Sequence, residues 1–436
     1  MRARPILCEV AIKLLFISPS PRSSGQLLLG CSLAAELRGI GVQSHFVASD
    51  GAEQTLRGYG FPHTLISPQM GMFVKLLIDD AVRTVRPAAI VLAEYLNYTH
   101  EISARFHLNP WFIESYGVPV IPIDLWELER TGFAADLCGG RALAIDPHIK
   151  DMDCYLSPVP MARPAPDSSR ANPFRVADPA ALARPADPDG PVESREHTRR
   201  ELGLGAGDRL VMLAMSPWQL PDVGAAGRRQ AASRVPELLA HYLRQLPDNV
   251  RFLLAGAAPE WSRLLPAERT LPLPPCSPSR FGALLRAADL MLSLNLSAFT
   301  MVRAVLSGTQ VMLITNQFSV TEPGQAGDIA DQLGGMGAFA RCWLAKSVPL
   351  HPFRIWPMGF HGFMDSLLAG NPYLSAFTVT ELLDEAAVLA GLRGQLYDLQ
   401  ERDRSRIRRA DYLKEVAAVP DACTAFRRAL SMAGVS

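Results

Sequence analysis

The sequence predicts an α/β protein built from two doubly wound domains, each a parallel sheet wrapped by helices. Three observations carry this. The chain has 436 residues, more than one ordinary core holds. Short buried-strand patterns alternate with helical patterns of roughly 10 to 15 residues, the signature of a parallel sheet wound by helices. That alternation runs twice, on either side of a stretch rich in Pro, Ala, Asp and Ser.

In the first half, residues 10–17 form an apolar run that predicts a buried strand, and residues 18–25 a small-residue loop. The apolar spacing of 26–38 predicts a helix stopped by Gly39 and Gly41. A strand follows at 43–48, a helix near 52–59, a short strand near 63–66 and a helix over 72–86. Strands at 89–94 and 118–124 complete the set. The low periodicity of 158–191 then predicts a linker or mobile insertion.

Order returns with a short helix from His197 and a strand at 209–215. Helix 229–246, strand 250–255, helix 278–287, strand 290–294, helix 297–307 and strand 310–314 repeat the alternation. Five glycines (324, 327, 334, 335 and 337) predict a loop over 324–337. Residues 351–364 are aromatic and broken by Pro, and they line a pocket or fill an interdomain core. Residues 381–417 read as helical and able to cross back onto the first domain. The expected division is an N-terminal domain over 1–160, a linker over 161–196, a C-terminal domain over 197–380 and terminal helices over 381–436.

Composition narrows the class. Hydrophobic residues make up 48% and charged residues 20%, as in soluble globular proteins. Lys plus Arg equals Asp plus Glu at 43 each, which leaves no electrostatic case for nucleic acid or an anionic membrane as partner. The basic cluster 402–409 lies on a predicted helix with acids beside it, a solvated face. Seven cysteines without CxxC or CxxH spacing argue against a zinc site or a disulfide framework and suit a reducing cytoplasm. Charges interrupt the short apolar run at the N-terminus, which speaks against a signal peptide, and no uninterrupted apolar run of about 20 residues predicts a membrane span.

The segment 286–314 is the most informative for function. It reads as a helix end, a buried strand, a polar turn from Asn295 to Thr300, a helix, Gly308 and a second buried strand. A turn beyond the carboxyl end of a parallel strand is where open α/β sheets bind ligands. The helix that follows aims backbone N–H groups and a partial positive charge at that place, which points to a phosphate-bearing ligand.

Three stretches resemble the GT-B glycosyltransferase superfamily. The run Ser24-Gly25-Gln26 through Gly41 is similar to its first Gly-rich loop and helix. Residues 200–213 resemble the entry to the C-terminal domain, and 288–308 resemble the donor-nucleotide site. The resemblance implies two Rossmann-like doubly wound parallel-sheet domains facing a cleft, and a glycosyltransferase. Such an enzyme moves a sugar from a nucleoside diphosphate-sugar, held by the C-terminal domain, to a small-molecule acceptor on the N-terminal one. It also implies no cofactor beyond the donor and no metal. No Asp-x-Asp pair stands at a strand end, Asp151 and Asp153 lying in a loop. Donor contacts then fall on Ser216, Trp218, Gln219, Asn295, Ser297, Thr300 and Arg303, and acceptor contacts on Gly25, Gln26 and Glu127. Trp218 either stacks on a base or sugar or packs between domains.

Two residues depart from the family pattern. Where many inverting members carry a His that acts as base, this chain has Gln26, whose amide accepts no proton at neutral pH. Where many members carry a Glu for the ribose hydroxyls, it has Arg303, a cation with donors only. Arg303 either meets a diphosphate or a donor carboxylate, or makes a surface ion pair. A base must then come from Glu94 or Asp124 at strand ends, from Glu127 or Glu129, or from His100 or His361. For each carboxylate the alternative is a helix cap or a structural ion pair, and for His361 a core or loop histidine. Two rival functions share the scaffold: a sugar-nucleotide epimerase or hydrolase, and a non-catalytic binding or partner protein.

Overall fold

The computed structural model describes residues 12–21, 24–177, 195–215, 219, 230–256, 259–274 and 276–435. The first sheet is parallel throughout, from β1 (Lys13–Ser18), β2 (Gln43–Ser49), β3 (His63–Ile66), β4 (Ala89–Leu92) and β5 (Val120–Pro122), in the order β3-β2-β1-β4-β5. Its central strands are continuous apolar runs, Leu14 to Ile17 and Ala89 to Leu92, fully buried because helices cover both faces. An antiparallel hairpin, β6 (Ala134–Leu137) and β7 (Arg141–Ala144), and a parallel pair, β8 (Tyr155–Val159) and β9 (Ala171–Arg175), follow.

The second sheet is also all parallel. It contains β10 (Arg209–Ala214), β11 (Val250–Ala255), β12 (Thr270–Leu273), β13 (Leu290–Ser293), β14 (Gln310–Thr315) and β15 (Thr378–Glu381), in the order β12-β11-β10-β13-β14-β15. In both sheets the winding reverses beside a central strand, between β1 and β4 and between β10 and β13. Each reversal opens a crevice at the carboxyl ends of the strands. The largest apolar cluster runs through both domains, from Phe16 and Leu29 to Met301, Val302 and Leu313, and so joins the two sheets across the cleft floor.

The chain departs from the sequence reading in three places. Residues 161–177 are not a linker: β9 pairs with β8, Phe174 and Val176 are buried, and the Arg175 N–H donates to Pro420 O at 3.1 Å. The apolar pair Phe174 and Val176, two apart, is the strand signal that the surrounding Pro and Ser obscure. The rest of that stretch, 178–194, lies outside the described residues. The glycine-rich 324–337 is not all loop either, for Ala326–Gln332 is a helix that buries Ile329 and Ala330. Finally, the helix read from 297 begins at Phe299, because Asn295 builds a separate turn ahead of it.

Helices Glu385–Tyr397, Leu399–Ala418 and Ala422–Met432 end the chain. The last of them lies against β8, β9 and helix Ser24–Arg38, where the Cys423 thiol meets Glu36 O at 3.6 Å and the Cys154 thiol meets Ala429 O at 3.3 Å. Among the described residues, no helix is long and apolar enough to cross a membrane.

Candidate functional site

A cavity of about 500 Å³ opens between the domains at the carboxyl ends of β10, β11 and β12, beside the helix that follows β13. The strand ends are drawn tightly together there. Met215 N–H donates to Ala255 O at 2.9 Å, and Gly256 follows with φ +67°. A Cβ on Gly256 would stand 2.4 Å from Met215 O, so only glycine fits this corner. Leu273, Pro274 and Phe281 make the far wall apolar.

The floor is the helix Phe299–Ser307. The turn before it is held by its own side chains: Ser293 Oγ donates to Asn295 O at 3.0 Å, and the buried Asn295 Oδ1 accepts from Ser297 N and Ser297 Oγ, both at 2.9 Å. Asn295 and Ser297 therefore shape the turn. The helix then starts without a capping side chain, and its first residues, Phe299 and Thr300, line the cavity. First-turn N–H groups lack intrahelical partners, so this end offers donors and about half a positive charge.

Arg303, one turn further on, also lines the cavity. Its guanidinium donates to Pro278 O at 3.3 Å and lies over the Phe281 ring, 5.7 Å from the centroid. Burial pulls its pKa below the ordinary value; the nearby Tyr59 opposes this and Arg286 adds to it. The surface ion pair left open by the sequence is not made among the described residues. The opposite wall comes from the N-terminal domain, through Gly25, Leu28, Gln54, Thr55 and Gly58. A Cβ on Gly25 would lie 3.6 Å from Phe299 Cβ and 4.0 Å from its N, so the start of helix Ser24–Arg38 meets the start of helix Phe299–Ser307. Beside this contact a smaller cavity, about 50 Å³, brings Gln26 together with Asn295 and Ser297.

The proposed bases sit elsewhere. Glu94 caps helix Tyr95–Ala104, accepting from Leu96 N at 2.9 Å, Asn97 N at 2.8 Å, Asn97 Nδ2 at 2.6 Å and Trp126 Nε1 at 3.1 Å. Asp124 accepts from Trp126 N and Leu128 N, both at 2.9 Å. Both carboxyls are buried, which pushes each up to about 7 against the pull of these hydrogen bonds. Glu127 is clamped by Arg163 through Nε at 2.9 Å and Nη2 at 2.8 Å, and Glu129 is held by Tyr155 and Arg170. His100 is exposed on its helix. His361 begins helix His361–Leu368, where its backbone N–H donates to Asp136. None of these side chains lines either cavity.

The structure thus assembles Gly25, Gln26, Gln219, Asn295, Ser297, Thr300 and Arg303 in or beside the cleft. Gln219 is buried and donates to Trp356 O at 3.1 Å. Ser216 and Trp218 lie outside the described residues. Sequence reasoning missed Gly256, the wall 273–281 and the facing residues 54–58. The rule that all parallel strands end on the ligand side would have found Gly256 and Pro274; nothing local marks Gln54 or Thr55.

Residues 33–434 match a family described as being of unknown function, DUF6365. Solved structures match over nearly the whole chain. HepE of Anabaena, solved with UDP and glucose, has a TM-score of 0.54 at 14% identity, covering 98% of this chain and 100% of that one. A glycosyltransferase from Rickettsia africae ESF-5 gives 0.54 at 9% identity, with 97% and 98% covered. The glycosyltransferase VinC, solved with dTDP, gives 0.52 at 12% identity, with 98% and 100% covered. No curated protein matches the sequence. At these identities the likeness concerns the fold, which is GT-B.

Proposed function

The chain belongs to that family of unknown function, and we propose that it is a glycosyltransferase whose cleft takes a nucleoside diphosphate-sugar and passes the sugar to a small acceptor. One observation carries the reading. The crevice of the second sheet holds an uncapped helix N-terminus and Arg303, while no carboxylate or imidazole among the described residues lines it. Such a place favours a dianion over a neutral ligand. The complexes of HepE with UDP and of VinC with dTDP, on the same fold, support a diphosphate there.

In the reaction the bond between the anomeric carbon and the diphosphate oxygen breaks, and a bond from that carbon to the acceptor oxygen forms. The nucleoside diphosphate leaves with the electron pair, and the acceptor proton passes to the departing diphosphate oxygen. The first-turn N–H groups and the Thr300 hydroxyl stabilise the charge that develops on the leaving diphosphate. On this reading the donor serves as co-substrate and no further cofactor is called for. The acceptor on this reading meets Gly25 and Gln26, which line the smaller cavity.

A second reading is a donor-binding protein that retains the scaffold without transferring sugar. The absence of any acid or imidazole among the described cleft-lining residues favours it, together with Gln26. Isothermal titration with UDP, dTDP, GDP and ADP tests the shared part, and binding of at least one is expected. Incubation of the matching nucleotide-sugar with and without candidate acceptors then separates the two: release of nucleotide that depends on acceptor supports transfer. Binding without turnover supports the second reading.

A further inference from the structure

The cavity carries a second positive feature, set deeper than the helix N-terminus. Arg303 follows Phe299 by four residues, so at about 1.5 Å per residue it stands roughly 6 Å further along the helix. Its guanidinium has five donors, and the hydrogen bond to Pro278 O engages one of them. No ion pair joins it to a carboxylate among the described residues; its ionisable neighbours are Tyr59 and Cys276, both pushed up by burial and so neutral, and Arg286, of like sign. The surrounding wall is Leu273, Pro274, Cys276 and Phe281, which supplies no negative charge. Gly282 leaves the guanidinium its room, since a Cβ there would come within 3.2 Å of Arg303 Nη2. A half-buried cation in an apolar wall is costly to leave without a counter-charge, and Arg303 lines the cavity.

We infer that the cavity selects a ligand carrying an anionic group in addition to its diphosphate, about one helical turn from it, with Arg303 as the residue that reads it. This rests on the assignment of the cavity to a nucleoside diphosphate. The chemistry is that of a carboxylate or a phosphomonoester, either of which a guanidinium grips with two parallel donors. Two sources supply it: a sugar acid attached to the diphosphate, or a ribose bearing a further phosphate.

Isothermal titration of the full chain with two matched pairs distinguishes them. One pair is UDP-glucose and UDP-glucuronate; the other is ADP and its 3′-phosphorylated form. In at least one pair the anionic member should bind about 10-fold tighter or more, as a charge-assisted contact requires. That preference should collapse in Arg303→Gln and return in part in Arg303→Lys, with thermal melting confirming that both variants are folded. Equal affinity within both pairs for a protein that binds UDP or ADP overturns the inference and leaves the donor site standing. A preference that survives in Arg303→Gln overturns it as well, and makes Arg303 a strut between helices. If dTDP or GDP binds instead, the same comparison is made with its glucose and glucuronate conjugates; no binding of any of these nucleotides removes the donor-site assignment and the inference together.

Discussion

The two sheets of this protein share one winding, and each opens a crevice at its reversal, yet the two crevices are furnished in opposite ways. At the first, Glu94 follows β4 and Asp124 follows β5, one strand further out, both buried and both bound to backbone N–H groups of the next turn. At the second, beside β10 and β13, stands a cavity of about 500 Å³ with an uncapped helix start and Arg303. A polar side chain at a strand end is thus no guide by itself to ligand chemistry. What separates the two cases is whether its polar atoms are already satisfied by the chain. Glu94 has four donors on it; Arg303 has one acceptor.

The largest expected difference concerns pH. Burial raises Glu94 and Asp124 to about 7, from ordinary values of 4.5 and 3.8. Between those values and 7 the folded state holds more protons than the unfolded one, so stability must fall as pH rises through this window. The effect is on the order of a few kcal/mol in all. Urea midpoints measured from pH 4.5 to 7.5 should show the decline, and Glu94→Gln should flatten it; an unchanged slope in that variant would contradict the burial account.

Next, Asp124→Ala leaves two buried N–H groups without acceptors and should cost about 3 kcal/mol in urea denaturation. The protein that remains folded should keep its nucleotide affinity, since Asp124 does not line the cavity. Arg303→Glu should do the reverse. It places an acid one helical turn from the phosphate site and should weaken UDP binding about 100-fold, with little change in melting temperature. The smallest effect belongs to Thr300→Val, which removes one hydroxyl donor and should weaken UDP about 5-fold, near 1 kcal/mol. Should Thr300→Val and Arg303→Glu both leave titrations unchanged, the contrast between the crevices would lose its functional meaning.

Much of the fold is legible in the sequence because buried parallel strands are short continuous apolar runs between helical patterns. Leu14 to Ile17, Ala89 to Leu92 and Leu210 to Leu213 announce themselves in this way. Strands β12 and β15 do not. Thr270–Leu273 contains a proline, and Thr378–Glu381 at the sheet edge mixes Thr and Glu with a single valine. The site is legible in part for the same reason. The turn 295–300 and Arg303 follow directly from strand–turn–helix order, whereas Gln54, Thr55 and Phe281 reach the cavity only through packing between elements distant in the chain. The carboxylates were the harder case. Glu94 precedes a helix, so its cap role was readable; that burial and capping leave it no free oxygen toward the cleft was not.

The central claim is that the second crevice, and not the first, receives the diphosphate. A crystal structure with UDP soaked in tests it most directly. The diphosphate should lie on the N–H groups of Phe299 and Thr300, with the Arg303 guanidinium turned toward the ligand. Density for the diphosphate beside Glu94 and Asp124, or none in either crevice at saturating UDP, would contradict the account.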